Sequence, residues 1–258
     1  MDPKQPLVPQ TSEEMGSSFQ SRPSSTSRRM QRFHIAAIVF VLGLYILARR
    51  FHCDHPDSDE HGATTKVPLE VHIMSKCPDS KACLEELVVP TMANVSDKVD
   101  FTLSYIGTPT NHDDGVSCKH GQTECLGNIL ELCAASLYPS PKIYLGFTYC
   151  LTRKYKLIPD RDLVHDCALE HGISFDKLND CASKDDGSFG IDLLRKSVER
   201  SAHANVSTSC TIRLNGKVRC VHDGVWKDCD KGHKVTDLVD DIEKLYKELR
   251  QTGEDFFL

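Results

Sequence analysis

The chain has 258 residues, 40% of them apolar and 26% charged, with a formal net charge of −6. That length holds one sizeable domain or two small ones with appendages. The ordinary apolar fraction excludes a wholly disordered chain and a protein of many membrane spans. The negative balance argues against nucleic acid as a partner, because phosphate binding needs concentrated positive charge.

Residues 1–32 are rich in Ser, Pro, Gln and Arg without apolar periodicity, which predicts a disordered tail. The run 33–48 (FHIAAIVFVLGLYILA) is apolar throughout and reaches roughly 24 Å as a helix, slightly short of a ~30 Å hydrocarbon core. Snorkelling by Arg32, Arg49 and Arg50 covers the difference. A signal-peptide core has the same length, but the polar leader is too long for an n-region and no A-x-A-like cleavage site follows. The expectation is one transmembrane signal anchor over 33–51. Arg28, Arg29 and Arg32 ahead of it favour a cytosolic N-terminus.

All twelve cysteines follow the anchor, as do the glycosylation sequons at Asn94 and Asn205. Disulfides persist in oxidising lumens and are rare in cytosol, so the predicted topology is single-pass type II with a luminal C-terminal domain in the secretory, endolysosomal or vacuolar pathway. Residues 52–66 read as a polar stem. Its three histidines fit a solvated linker better than a metal site.

The folded domain is expected over 67–258. Leu69, Val71 and Ile73 alternate with polar residues, which is strand spacing, and a helical segment from about Ser80 to Thr91 follows a Lys-Cys-Pro-Asp turn. Val99, Phe101, Leu103 and Tyr105 alternate again, giving a βαβ unit with a parallel pair. Residues 107–160 read as loop-rich around one helical segment, 125–137, with further helices near 161–171, 174–183 and 190–203. Asn215-Gly216 between 209–214 and 217–221 is a hairpin signal. Val235, Leu238, Val239, Ile242, Leu245, Tyr246 and Leu249 share one helical face and predict core packing. The order βαβ, helical insertion, β-hairpin, helix is that of an α/β thioredoxin-like fold, here with a disulfide-rich helical insertion and preceded by one transmembrane helix.

Cys77 ends the first strand and is followed by Pro78 and a helix. Unpaired N–H groups and the positive dipole end favour a thiolate there, and Pro suits an early helical position. A buried or stapled cysteine has the same local pattern. Cys83 is the next cysteine, but six steps along a regular helix rise about 9 Å and turn about 600°, which puts the two on different faces. A Cys77–Cys83 pair therefore needs the intervening stretch to loop, with the helix starting later, capped by Ser80. Otherwise Cys83 is a buried helix residue and Cys77 has another partner.

The run Cys118-Lys119-His120-Gly121-Gln122-Thr123-Glu124-Cys125-Leu126-Gly127-Asn128-Ile129-Leu130-Glu131-Leu132-Cys133 lacks the close Cys-x-x-Cys arms of a zinc knot. It closely resembles the signature of the gamma-interferon-inducible lysosomal thiol reductase (GILT) family, Cys-Gln-His-Gly-x-x-Glu-Cys-x-x-Asn-x-x-x-x-Cys, with Lys119 in place of Gln. The resemblance covers roughly 67–229. It implies a thioredoxin-like fold and reduction of protein disulfides by an N-terminal Cys-x-x-Cys. Cys77 matches the attacking cysteine by position, and Cys83 matches the resolving one only by role. The fixed residues Cys118, His120, Gly121, Glu124, Cys125, Asn128 and Cys133 are implied to be structural.

Thioredoxin-like reductases carry a cis-proline before the strand that faces the active-site cysteines. The corresponding stretch here, 206–212, has none, and Cys210 occupies or adjoins that place. Two pairings stay open for Cys210: with Cys77, as a staple or resolving thiol, or with Cys220 or Cys229 across the hairpin. Cys150, Cys167 and Cys181 are expected to staple the insertion, and Trp226 to belong to the core.

The catalytic candidates are therefore Cys77 and Cys83, with Cys210 as a further candidate. The expected function is luminal thiol–disulfide oxidoreduction on disulfide-containing proteins, with no cofactor and no metal. The alternative is a redox-inactive, disulfide-stapled binding or structural protein on the same fold.

Overall fold

The computed structural model describes Leu42, residues 66–111 and residues 115–254, with side chains to Gln251. The chain divides into two units, Met1–Gly62 and Ala63–Leu258. The expected tail, anchor and stem, apart from Leu42 and Lys66, lie outside the described residues, as does Cys53. No helix among the described residues is long and apolar enough to cross a membrane.

Strand β1 (Val67–Ile73) buries Val67, Leu69, Val71 and Ile73 on one face and pairs parallel with β2 (Val99–Tyr105). The crossover is a continuous helical run: α1 (Pro78–Cys83), a π-helical turn (Leu84–Val88) and α2 (Val89–Val95). Parallel neighbours need such a crossover, and its buried Leu84, Leu87 and Val88 settle it on the sheet. On the other side of β1 lies the antiparallel β5 (Thr211–Leu214), followed by β6 (Lys217–Asp223) and β7 (Val225–Lys227). The sheet order is β2-β1-β5-β6-β7. Its first four strands, with the helical crossover and the closing helix α8 (Val235–Glu254), have thioredoxin-like topology. The apolar stripe of α8 packs on the core as expected, with Leu238 and Ile242 fully buried.

A two-stranded ribbon, β3 (Thr108–Pro109) and β4 (Val116–Ser117), leads into the insertion. Five helices then form it: α3 (Gln122–Leu137), α4 (Pro141–Arg153), α5 (Arg161–Glu170), α6 (Phe175–Ser183) and α7 (Ser188–His203). Cys133–Cys181 joins α3 to α6, and Cys150–Cys167 joins α4 to α5. The staples expected for the insertion are thus present.

Three expectations need correction. The stretch expected to be loop contains α4, whose buried Tyr144, Leu145, Phe147 and Leu151 mark an apolar face. The Tyr138-Pro139-Ser140-Pro141 stretch reads as loop, yet Pro141 sits at the first helical position, where its missing N–H leaves nothing unpaired. The first helix begins at Pro78, not Ser80, so Ser80 is an internal residue and Cys77 is the N-cap. β7 is a three-residue strand too short to show a period.

Inside the core, Tyr105 of β2 donates its hydroxyl hydrogen bond to Glu131 Oε2 of α3 at 2.6 Å. Glu131 is almost wholly buried and its Oε1 has no partner among the described residues. Burial pushes its carboxyl from an ordinary 4.5 up to about 8. The folded chain therefore holds this proton more tightly than the unfolded one. The resulting stability is complete below about pH 4.5 and is lost as pH rises through about 8, at up to about 1.4 kcal/mol per pH unit between. Glu131→Gln is expected to flatten the decline in the urea midpoint between pH 5 and pH 8. A decline as steep as in the parent chain would contradict this.

Candidate functional site

At the carboxyl end of β1 the chain turns through Met74–Lys76 into α1, and two structures hold that turn. From one side comes the signature run. Gly121 has φ +81°, a left-handed conformation that glycine tolerates, and it starts α3 close to the turn. Cys118–Cys125 closes this loop. The buried Asn128 Oδ1 accepts from the Ser75 N–H at 3.0 Å, and the Ser75 hydroxyl donates to the Glu124 carbonyl at 3.2 Å. The buried Glu124 carboxylate accepts from the Lys76 N–H at 3.3 Å and is paired with the His120 ring. Gly127 lets the helix approach, since a Cβ there would lie 2.8 Å from Ser75 Oγ and 2.4 Å from Ile158 Cγ2. The signature residues thus fix the backbone of the two residues ahead of Cys77.

From the other side comes the segment before β5. Met74 N–H donates to Ser209 Oγ at 3.0 Å, the Ser80 hydroxyl donates to the Met74 carbonyl at 2.8 Å, and the two serine hydroxyls lie 2.7 Å apart. The peptide bond between Ser209 and Cys210 is cis. The Cys210 sulfur is bonded to that of Cys83.

That bond overturns both pairings left open for Cys210. It joins neither Cys77 nor the hairpin cysteines, because Cys220 is bonded to Cys229. The physical reason lies in the helix start. With Cys77 at the N-cap, Cys83 is carried round to the buried face, where it meets Cys210 with a Cα–Cα separation of 6.2 Å. Cys77 is the one cysteine among the described residues outside a disulfide.

The Cys77 side chain is 7% exposed and packs with Met74, Ile106 and Val206. Its Sγ lies 3.7 Å from Asp79 Oδ2 and 4.0 Å from the Ser209 carbonyl. Asp79 Oδ1 accepts from Gly224 N–H at 2.7 Å and lies 2.8 Å from His222 Nδ1. His222 is placed by β6, where it exchanges backbone hydrogen bonds of 2.9 and 3.0 Å with Cys210. Trp226, expected in the core, is half-buried instead. Its indole sits edge-on to the His222 ring at 4.8 Å and donates to Glu86 at 2.9 Å.

An open groove beside Cys77 is lined by Met74, Ile106, Val206, Ser207 and Lys119. The sequon residues Asn94 and Asn205 are both exposed. Among the described residues, Cys150, Glu170 and His171 are close enough together to hold a metal, but Cys150 is spent in its disulfide with Cys167.

Sequence reasoning missed four residues of this site. Ser80 stands three positions after Cys77, so the motif reads Cys-x-x-Ser, and counting three onward from Cys77 instead of seeking the next cysteine would have found it. Asp79 lies inside the same motif. Ser209, just before β5, and His222, on β6, are distant in sequence, and nothing in the one-dimensional pattern marks them.

The fold and this turn define a thioredoxin-like domain with a single free thiol at the head of its first helix. Residues 68–171 match the family model described as "Gamma interferon inducible lysosomal thiol reductase (GILT)". GILT-like protein 1 from Drosophila melanogaster is 29% identical over 153 residues, covering 53% of this chain and 60% of that protein. The "Gamma-interferon-inducible lysosomal thiol reductase-like protein" of Anopheles gambiae is 28% identical over 138 residues, covering 48% and 57%. The matched region thus spans less than two thirds of either relative. Among solved structures, oxidised BdbD from Bacillus subtilis aligns with a TM-score of 0.49 at 19% identity, covering 70% of this chain and 88% of that one.

Asn128→Ala leaves the buried Ser75 N–H without its acceptor, an expected loss of about 1–3 kcal/mol in stability. Urea unfolding together with hydrogen exchange at the Ser75 amide checks this. Unchanged protection of that amide would show that Asn128 does not hold the turn.

Proposed function

We propose that this chain is a membrane-anchored, luminal thiol–disulfide oxidoreductase that acts on disulfide-containing proteins through Cys77. The observation that carries the reading is the state of Cys77: free, at the head of α1, beside a groove, while every other cysteine among the described residues is bonded. The family-model match over residues 68–171 supports it, as do five disulfides among the described residues, which suit an oxidising compartment. The anchor over 33–51 and glycans on Asn94 and Asn205 belong to the same proposal.

In the proposed step the Cys77 thiolate attacks one sulfur of a substrate disulfide. A new bond forms from Cys77 to that sulfur, and the other leaves as a thiolate. Resolution by Cys83 or Cys210, as expected from sequence, would require breaking the bond between them, and Ser80 replaces the family's second cysteine. The mixed disulfide is therefore resolved by an external thiol, which regenerates free Cys77.

Ser80 also favours a second reading, a stapled protein that has lost redox activity. One experiment separates the two. The full chain is mixed at pH 4.5–7 with a disulfide-linked peptide, and covalent adducts are followed before and after glutathione. The parent chain is expected to form an adduct that persists until glutathione arrives, and Cys77→Ser none. Ser80→Cys restores Cys-x-x-Cys and is expected to shorten the adduct's lifetime at least tenfold. Absence of any adduct in the parent chain, or equal adducts in Cys77→Ser, would leave the stapled reading standing.

A further inference from the structure

Cys77 and Asp79 share one turn, and the carboxylate faces two ways. Oδ1 is occupied by Gly224 N–H at 2.7 Å and by His222 Nδ1 at 2.8 Å, while Oδ2 points to the thiol at 3.7 Å. Both partners of Oδ1 come from the end of β6 and its turn, and β6 is itself locked to the Cys210 segment. The carboxylate is thus positioned by β6 and the turn that follows it. The ring of His222 is in turn braced by Trp226.

Resting on the assignment of thiol–disulfide exchange to Cys77, the geometry points to Asp79 as the catalytic base that takes the Cys77 proton, with His222 as the positioning residue that holds it. The Sγ–H bond breaks as an O–H bond forms at Oδ2. The sulfur electron pair then forms the bond to the substrate sulfur, and the substrate S–S bond breaks with its electrons on the leaving sulfur. Asp79 releases its proton to solvent before the next turnover. No electron is gained or lost by the pair.

The route through Asp79 uses the form in which thiol and carboxylate hold one proton between them, so its rate does not rise with pH while that form persists. A thiol without the carboxylate loses thiolate tenfold per pH unit on the acid side. Asp79 therefore equips the site for acidic conditions, at the expense of a negative charge beside the thiolate when pH is high. Other charged side chains around the site are already engaged. Lys76 Nζ donates to the Ile158 carbonyl at 2.6 Å, Glu86 accepts from Trp226, and Asp223 pairs with Lys227 at 2.6 Å. Glu124 is paired with His120, and Lys119 lines the groove.

The test is the pH profile of Cys77 alkylation by iodoacetamide in the full chain, read by mass spectrometry on the Cys77 peptide so that Cys53 does not contribute. The parent chain is expected to show a shallow rise in rate between pH 4.5 and 6.5. Asp79→Asn, which keeps the shape and the Oδ1 acceptor, is expected to rise close to tenfold per unit, slower than the parent at pH 4.5 and equal or faster at pH 8. His222→Gln retains a donor and should preserve the shallow profile, whereas His222→Ala should steepen it. Parallel profiles for the parent and Asp79→Asn would overturn the assignment of the base while leaving Cys77 reactive. A Cys77 peptide that reacts at no pH would instead remove the exchange reading itself.

Discussion

The bond between Cys83 and Cys210 ties the buried face of the first helix to the chain just before β5, across a sequence separation of 127 residues. Closing so long a loop removes roughly 5 kcal/mol of chain entropy from the unfolded state in the simplest treatment. Its position matters more than that magnitude. Cys77 heads the same helix, so the disulfide settles how the thiol faces the Ser209 carbonyl, and how Asp79 reaches His222 and Gly224. A helix that turns about 100° per residue cannot present Cys77 and Cys83 on one side. Holding Cys83 against Cys210 is therefore what leaves Cys77 unbonded at the head of the helix.

The GILT signature has a physical role in this arrangement. Its residues do not touch the thiol. They grip the backbone before it, through Asn128 to Ser75 and Glu124 to Lys76, while Cys118–Cys125 closes the loop ahead of α3 and Gly127 lets that helix come close. The turn is thus clamped from the insertion on one side and from the β5 segment on the other, with serine hydroxyls of Ser80 and Ser209 filling the space between. A site built this way needs no metal or cofactor to be rigid. Met74, Ile106 and Val206 line an open groove beside it.

Much of the frame was legible in the sequence because it follows from period. Alternation in 67–73 and 99–105 marked the parallel pair, Asn215-Gly216 marked the hairpin, and the Val235–Leu249 stripe marked the closing helix. Helix α4 was hidden behind its prolines, and β7 was too short to carry a pattern. The site was only half legible. Cys77 was identifiable by position and the signature by spacing, but disulfide partners depend on which helix face a cysteine occupies. A two-residue difference in where α1 begins, Pro78 against Ser80, decides that. Ser209 reaches the thiol from the segment before β5 and His222 reaches Asp79 from β6, and such long-range pairing leaves no local trace.

The central claim is that Cys83 and Cys210 are bonded to each other and Cys77 is free. Peptide mapping of the native full chain, alkylated under non-reducing conditions before digestion, tests it directly. The account predicts a linked pair of peptides containing Cys83 and Cys210 and an alkylated Cys77. A linked pair containing Cys77 and Cys83, or Cys77 and Cys210, would contradict it.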